Sequence, residues 1–373
     1  MTIIIVQFEP LRELPPVISL IEILANSHEV IFISRSNNDD YSEFFHTNNV
    51  KYFNYTNKLR LRYGYFPVKI ENWILKQNIR KKIKEYDQKN TIVWTIDRAA
   101  FIYNPSLSNY KHIMQLFELV QNKNESFFKR ISLKEIAQNA NRVVVSEYNR
   151  AHIQKAWWSL NKLPVVLPNK QEKHPQKPLL SITDSKSEKV IMQLYKSGKK
   201  IVLYQGSFHK DRNLEPFFKA IDKLQAEYVL VIMGRKNKKI DELLYNHPGT
   251  IHIPWINAPK HLEITSWAHI GILTYIPSII GHLSILNSVY CAPNKIFEYT
   301  GFGIPMIAND CPPLKNIFEK NNIGVIVDID SEDDIIRGIL EIEKNYMNMK
   351  DNCTNYFSSI NLTTIINGLL ESL

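Results

Sequence analysis

Short apolar runs rich in β-branched residues, each closed by turn residues, recur along this chain, and no other feature limits its fold as much. The first half carries "TIIIVQF" (2–8), "EVIFIS" (29–34), "TIVWTI" (91–96), "HIMQLF" (112–117) and "NRVVVS" (141–146). The second half carries "KIVLYQG" (200–206), "YVLVIMG" (228–234), "IHIPWI" (251–256), "IGILTY" (270–275), "PMIAND" (305–310) and "GVIVDI" (324–329). Continuous runs of this kind suit strands buried on both faces, as in a parallel sheet, whereas a half-exposed strand alternates. Amphipathic stretches of helical length lie between them, such as Leu214 to Gln225 and Lys129 to Asn139. This alternation predicts α/β layers.

At 373 residues the chain is long enough for two domains. Leu167 to Ser187, "LPNKQEKHPQKPLLSITDSKS", is rich in Pro, Lys and Ser without periodicity and reads as the join between them. The expected organisation is an N-terminal Rossmann-like domain over 1–165, a linker over 166–187 and a C-terminal Rossmann-like domain over 188–355. A last helix, about 356–373, is expected to dock back on the body. Two open sheets facing one another leave a cleft at the C-terminal ends of their strands, where ligands bind.

The 44% apolar and 22% charged residues are ordinary globular values and exclude extensive disorder. No G-x-G-x-x-G fingerprint occurs. Three cysteines, Cys291, Cys311 and Cys353, share no metal-ligand spacing, and their odd number argues against a disulfide framework and for a reducing compartment. The start "MTIIIVQFEP" reads as a strand rather than a signal peptide. His269 to Leu286, the most apolar long stretch, holds Pro277, Gly281 and two histidines and is not a membrane span. A cytoplasmic protein is expected.

A formal net charge of +9 points to an anionic partner. Basic residues concentrate over 58–89, where Arg60, Arg62, Lys69, Lys76, Arg80, Lys81, Lys82 and Lys84 interleave with aromatic and aliphatic side chains. Such a stretch fits peripheral contact with an anionic membrane at its inner face, or with a lipid-linked substrate; a solvated helix face explains it equally. No nucleic-acid motif accompanies the charge, so nucleic acid is not the expected partner.

Two segments carry chemistry. In "LYQGSFHKDRNLEPFFKAI" a strand ends at Gly206, a polar turn follows, and Arg212 stands just before a helix, where a guanidinium can hold a diphosphate. A surface arginine in an ordinary turn explains that segment too. In "VYCAPNKIFEYTGFGIPMIAND", Pro293 suits a first helical turn, Lys295 adds charge there, and Glu298 lies three residues on. That carboxylate can accept both hydroxyls of a ribose. An i,i+3 ion pair explains Lys295 and Glu298 but leaves Pro-Asn-Lys, Gly301, Gly303 and the returning strand without a reason.

The stretch "APNKIFEYTGFGIPMIANDCPPLKNIFEKNNIGVIVD" resembles the group 1 glycosyltransferases, family-4-like retaining enzymes of the GT-B fold that build bacterial polysaccharides and glycans. "YQGSFHKDRN" is similar to that family's diphosphate loop, and the likeness is specific over about 200–330. Before residue 165 only "FELV" (117–120) and "ANRVVVSEYNR" resemble the family's acceptor domain.

The resemblance implies a hexosyl-type transferase with a nucleotide-sugar donor in the second half. Gly206, Ser207, His209, Arg212, Asn294, Lys295, Ile296 and Glu298 would line the donor site. Arg212 and Lys295 would stabilise the leaving diphosphate as catalytic groups. No metal cofactor is then expected. The acceptor would be a glycan, a glycoprotein or a lipid-linked saccharide. Two positions depart from the family: Tyr290 stands where many members carry a first glutamate, and Asn213 where a glycine follows the basic residue.

Acceptor-side candidates are Glu9, Asp97 and Glu118, each after a predicted strand, with Glu118 also a catalytic candidate. Each serves equally well as a helix cap. The sole Asp-x-Asp, Asp328 to Asp330, reads as a strand end and helix cap rather than a metal site. Trp157, Trp158 and Trp255 read as core or interdomain packing. Three alternatives stay open: a non-catalytic GT-B partner subunit, a sugar-nucleotide epimerase of the same fold, and a paired-carboxylate glycosidase, which has no use for the diphosphate features.

Overall fold

Residues 1–55, 68–121, 132–175, 182, 185–209, 212–278 and 284–373 are described by the structure, a computed structural model. The chain divides into two units, one of Met1–Pro168 with Leu362–Leu373 and one of Asn169–Asn361.

Seven strands form the sheet of the first unit: β1 (Thr2–Gln7), β2 (Glu29–Ser34), β3 (Lys51–Asn54), β4 (Thr91–Ile96), β5 (Lys111–Leu116), β6 (Arg142–Val145) and β7 (Val165–Val166), in the order β3-β2-β1-β4-β5-β6-β7. Every pairing is parallel; Ile4 lies opposite Ile31 on one side and Val93 on the other. All six residues of β4 and five of six in β1 are buried, which is why these segments read as unbroken apolar runs.

The second unit has β8 (Lys200–Gln205), β9 (Tyr228–Met233), β10 (Ile251–Ile253), β11 (Ile270–Leu273), β12 (Met306–Ala308) and β13 (Gly324–Ile326), in the order β10-β9-β8-β11-β12-β13, again all parallel. Both sheets reverse their winding once, between β1 and β4 in the first and between β8 and β11 in the second. Loops leaving the C-terminal ends at such a reversal diverge and open a crevice.

Eleven predicted strands are present, and two are additions. The strands β3 and β7 are edge strands, short and only partly buried, so neither needed the apolar run that marks a central strand. The helix expected over 214–225 runs Glu215–Lys223. That expected over 129–139 is described from Leu133 to Asn139, where Ser132 and Glu135 cap its start reciprocally; residues 129–131 lie outside the described residues.

Three further expectations change. The single helix read over 356–373 is two, Tyr346–Ser359 and Leu362–Glu371, because the chain turns extended at Ile360, whose carbonyl accepts from Lys170. The second of them returns to the first unit, where Arg142 donates to the Ser372 hydroxyl. The start of the presumed linker is built structure: Val165–Val166 is β7, and Asn169, Lys170 and Gln171 are buried, with Asn169 donating to the Ala292 carbonyl at 2.9 Å. Residues 176–181 and 183–184 lie outside the described residues. Cys291, Cys311 and Cys353 are buried and stand outside any disulfide.

The basic stretch is the third. Its portion 58–67 lies outside the described residues, and most of the rest forms the helix Val68–Ile83. Arg80 there is not a surface charge. It is 9% exposed and donates to the carbonyls of Ile102 (2.7 Å) and Phe101 (3.3 Å). Lys82 pairs with Glu85 at 2.6 Å and lies 4.1 Å over the Phe53 ring, while Lys81 is exposed. Arg80→Met should therefore lower the thermal stability of the protein by about 2–4 kcal/mol, since it strands buried carbonyls. Lys81→Gln should stay within about 0.5 kcal/mol. Equal melting shifts in the two variants would contradict this assignment.

Candidate functional sites

In the second unit the site grows out of the reversal between β8 and β11. After β8 the backbone turns at Gly206, whose φ of +128° few side-chain-bearing residues adopt. The turn then presses on the neighbouring one: a Cβ at Gly234 would stand 2.1 Å from the Gly206 carbonyl oxygen. Asn237 holds the Phe208 carbonyl at 2.8 Å, and Asp330 accepts from Asn213 at 2.7 Å. The loop that carries Arg212 is thus pinned on both sides of residues 210–211, which lie outside the described residues. Asp330 serves as a tether, and Ser331 caps the next helix, as the strand-end reading of Asp-x-Asp requires.

Across the reversal, Tyr275 follows β11. Asn309 grips it by two backbone hydrogen bonds, accepting from its N–H and donating to its carbonyl, each 2.8 Å. The Tyr275 ring collects the two cations singled out in the sequence. The Arg212 guanidinium lies 3.8 Å from its centroid and the Lys295 ammonium 5.5 Å. Lys295 also stands 4.4 Å over Tyr204, and a Cβ on Gly206 would meet its Nζ at 3.9 Å. Two like charges gathered at one ring repel, so an anion seated there is bound with charge assistance and relieves that repulsion.

Lys295 opens the six-residue helix Lys295–Thr300; Asn294 is its cap residue, and Pro293 precedes the cap rather than entering the first turn. Tyr299 docks this helix on the sheet. Its hydroxyl donates to the Leu203 carbonyl at 2.9 Å, and its ring covers Gly271, where a Cβ would come within 2.6 Å. Of the two glycines that follow, Gly303 has φ +64°, while Gly301 is required by contact, since a Cβ there would reach 2.5 Å from the His174 ring.

Glu298 is more enclosed than the sequence suggests, at 6% exposure. Gln205 donates to Oε2 at 2.5 Å, His261 Nε2 lies 3.2 Å from Oε1, and Thr265 donates to Gln205 at 2.6 Å. Burial opposes its charge, but His261, Gln205 and the nearby Lys295 outweigh it and hold the carboxyl below its ordinary range. Ile296 is buried in the core. Ser207 and His209 are exposed; their carbonyls accept from Tyr204 and from the Arg212 N–H. Tyr204, Gln205, His261, Thr265 and Tyr275 went unnoticed in the sequence because each lies in a strand-like or helical context that burial alone explains.

In the first unit Glu9, Asp97 and Glu118 follow the adjacent strands β1, β4 and β5 and act on one another. Asp97 has φ +45° and accepts from the Phe117 N–H at 2.9 Å. Burial pushes its carboxyl up to about 8; that hydrogen bond opposes the rise, and the charges of Glu9 and Glu118 add to it. Glu118 lies 3.2 Å from the buried guanidinium of Arg150, which also donates to the Phe117 carbonyl. Glu9 Oε2 is buried and, among the described residues, accepts no hydrogen bond. Trp158 is fully buried and Trp157 packs on the same core, whereas Trp255 is 44% exposed and 5.6 Å from the Arg235 guanidinium, a correction to its reading as packing.

Residues 186–358 match the family of glycosyl transferases group 1. Over this part the chain is similar to a group 1 glycosyltransferase domain. The matched part contains β8 to β13, Arg212, Lys295 and Glu298. Solved structures extend the likeness to the whole chain. HepE of Anabaena, in complex with UDP, is 12% identical with a TM-score of 0.70 and covers 100% of both chains. A glycosyltransferase of Rickettsia africae is 15% identical (TM-score 0.65, 99% and 97% covered), and sucrose-phosphate synthase of Thermosynechococcus elongatus is 14% identical (TM-score 0.64, 100% and 98% covered). At this identity they show the fold alone, two domains with parallel sheets as in the GT-B architecture. A search of curated proteins finds no match. Among the described residues no group of three or more His, Cys, Asp or Glu is placed to hold a metal ion, and no helix is long and apolar enough to cross a membrane.

The raised carboxyl of Asp97 has a consequence for stability. Its proton is held more tightly in the folded than in the unfolded chain, so this contribution is complete below the ordinary carboxylate range and is lost as pH rises through about 8. Asp97→Asn keeps an oxygen for the Phe117 N–H and should flatten the fall in melting temperature between pH 5 and 9. Parallel wild-type and variant profiles would show that Asp97 ionises normally.

Proposed function

We propose that the protein transfers a hexose from a nucleotide-diphosphate sugar to a glycan, glycoprotein or lipid-linked acceptor, with retention of configuration and without a metal ion. One observation carries the reading: Arg212 and Lys295, from separate loops of the transferase domain, converge on the Tyr275 ring at the sheet reversal. Cleaving the bond from sugar to diphosphate develops negative charge on the leaving group, and fixed cations lower that barrier without reorganising. They supply the charge a divalent cation would otherwise bring.

UDP is the nucleotide we favour, because HepE is solved with UDP and with UDP-glucose. Glu298 would take the ribose hydroxyls; the partners that hold it ionised leave further lone pairs on both oxygens. Gly206, Ser207, His209, Asn294 and Ile296 complete the donor side. On the acceptor side Glu9, Asp97 and Glu118 would form one carboxylate cluster in which Asp97 holds the proton, with Glu118, beside Arg150, as its catalytic member.

Arg212→Gln and Lys295→Gln should each weaken UDP-glucose binding at least tenfold and lower turnover by a factor on the order of 10² to 10³. Wild-type turnover should persist in EDTA. Variants that bind and turn over the donor normally would remove the donor site from this position, and binding without turnover on any acceptor would identify a non-catalytic partner.

The same reading places the protein peripherally at the cytoplasmic face of a membrane. Ile70 (48% exposed) and Trp73 (56%), one helical turn apart in the first half of the helix Val68–Ile83, offer an apolar contact, and Lys81 is exposed in its last turn. Trp73→Ala should reduce sedimentation with anionic phospholipid vesicles several-fold, and unchanged sedimentation would leave the helix a plain surface.

A further inference from the structure

A cavity of about 590 Å³ lies in the first unit at the C-terminal ends of β1 and β2. Phe8, Glu9 and Pro10 follow β1, Arg35 to Asn37 follow β2, Arg98 follows β4, and the helix Val68–Ile83 contributes Asn72, Leu75 and Lys76. This is the position at which a parallel sheet binds its ligand, beside the reversal between β1 and β4.

The charge of its wall is lopsided. Among the described residues that line it, Arg12, Arg35, Lys76 and Arg98 stand with the carboxylates of Glu9 and Asp40. Asp40 lies 3.8 Å from Arg12 at the exposed rim, where such a pair is worth little. Lys76 leans over the Phe101 ring at 5.1 Å. Arg35 is half-buried, and among the described residues its guanidinium has neither an ion-pair nor a hydrogen-bond partner. Cations held together in a concave wall repel one another, and a guanidinium half withdrawn from water has lost hydration that a bound oxyanion restores. Glu9 also lines the cavity, and its carboxylate can accept a hydrogen bond from a ligand hydroxyl.

We propose that this cavity takes an acceptor bearing an anionic group, a phosphate, diphosphate or carboxylate, with Arg35 as its principal ligand and Arg98 and Lys76 as flanking charges. Glu9 then receives a hydroxyl of the same molecule. The proposal rests on the glycosyltransferase reading and narrows its acceptor to anionic saccharides and lipid phosphates.

The test separates this site from the donor site by working in the Arg212→Gln/Lys295→Gln protein, whose donor cations are removed. Calorimetric titration with inorganic diphosphate, glucuronic acid and glucose compares the two anion chemistries with a neutral sugar. One anion, or both, should still bind, at least tenfold more tightly than glucose, and the affinity should fall steeply from 50 to 300 mM NaCl. Adding Arg35→Gln should weaken it a further tenfold or more while the melting temperature is kept. Tighter binding of diphosphate or of glucuronic acid identifies which chemistry the acceptor carries. Absence of anion binding, parity with glucose, or indifference to Arg35→Gln in a folded protein would overturn the proposal. UDP-glucose binding to the wild-type chain is read separately; its failure strikes the transferase reading and leaves the anion site to be judged on its own data.

Discussion

Burial of parallel strands on both faces is the constraint on which the rest of each unit depends. A strand such as β4 has no solvent-exposed face, so its neighbours must lie parallel and its connections must cross over the sheet. Winding outward in both directions from a central strand leaves one reversal per sheet. The chemistry-bearing groups gather there, because those loop ends are not needed to close the core. In the second unit this brings Gly206 and Arg212 from one side of the reversal to Tyr275 from the other.

Around that point, close contacts hold polar groups in place. Gly234 lets the turn at Gly206 approach, Gly271 lets Tyr299 lie flat on the sheet, and the helix that begins with Lys295 is fixed as a result. Glu298 stays ionised although buried because Gln205 and His261 answer it, an arrangement only a well-packed site sustains. The first unit handles its carboxylates differently. Among the described residues the charge of Arg150 does not outweigh the burial of Asp97, so Asp97 retains a proton to higher pH than Glu298 does. Two units of one architecture thus hold an ionised and a protonated acid, set by neighbours rather than by residue type.

Much of this was legible in the residues. The strands of both sheet interiors announce themselves as apolar runs, Lys295 and Glu298 stand out together at the start of a helix with Pro-Asn before them and two glycines after, and Arg212 stands out as a basic residue just before a helix. Edge strands such as Lys51–Asn54 were not legible, since a half-buried edge tolerates a mixed sequence. Arg80 misled for the opposite reason: in sequence it belongs to a basic run, and only the carbonyls of Phe101 and Ile102 make it structural. Tyr275 and Gln205 were invisible as site residues, because a tyrosine after an apolar run and a glutamine at a strand end carry no signal of what they will face.

By itself the sequence determined the α/β class, the chain order of the main strands and the two segments that carry Arg212 and Lys295, because hydrophobic period and turn residues are local properties. Tertiary structure alone decided that Arg212 and Lys295 share one aromatic ring, that Glu298 is held by Gln205 and His261, and that Arg12, Arg35, Lys76 and Arg98 line one cavity. Those residues are separated by tens of positions along the chain. Charge, desolvation and hydrogen bonding act across ångströms of space, and which groups come that close is set by the winding of the sheet.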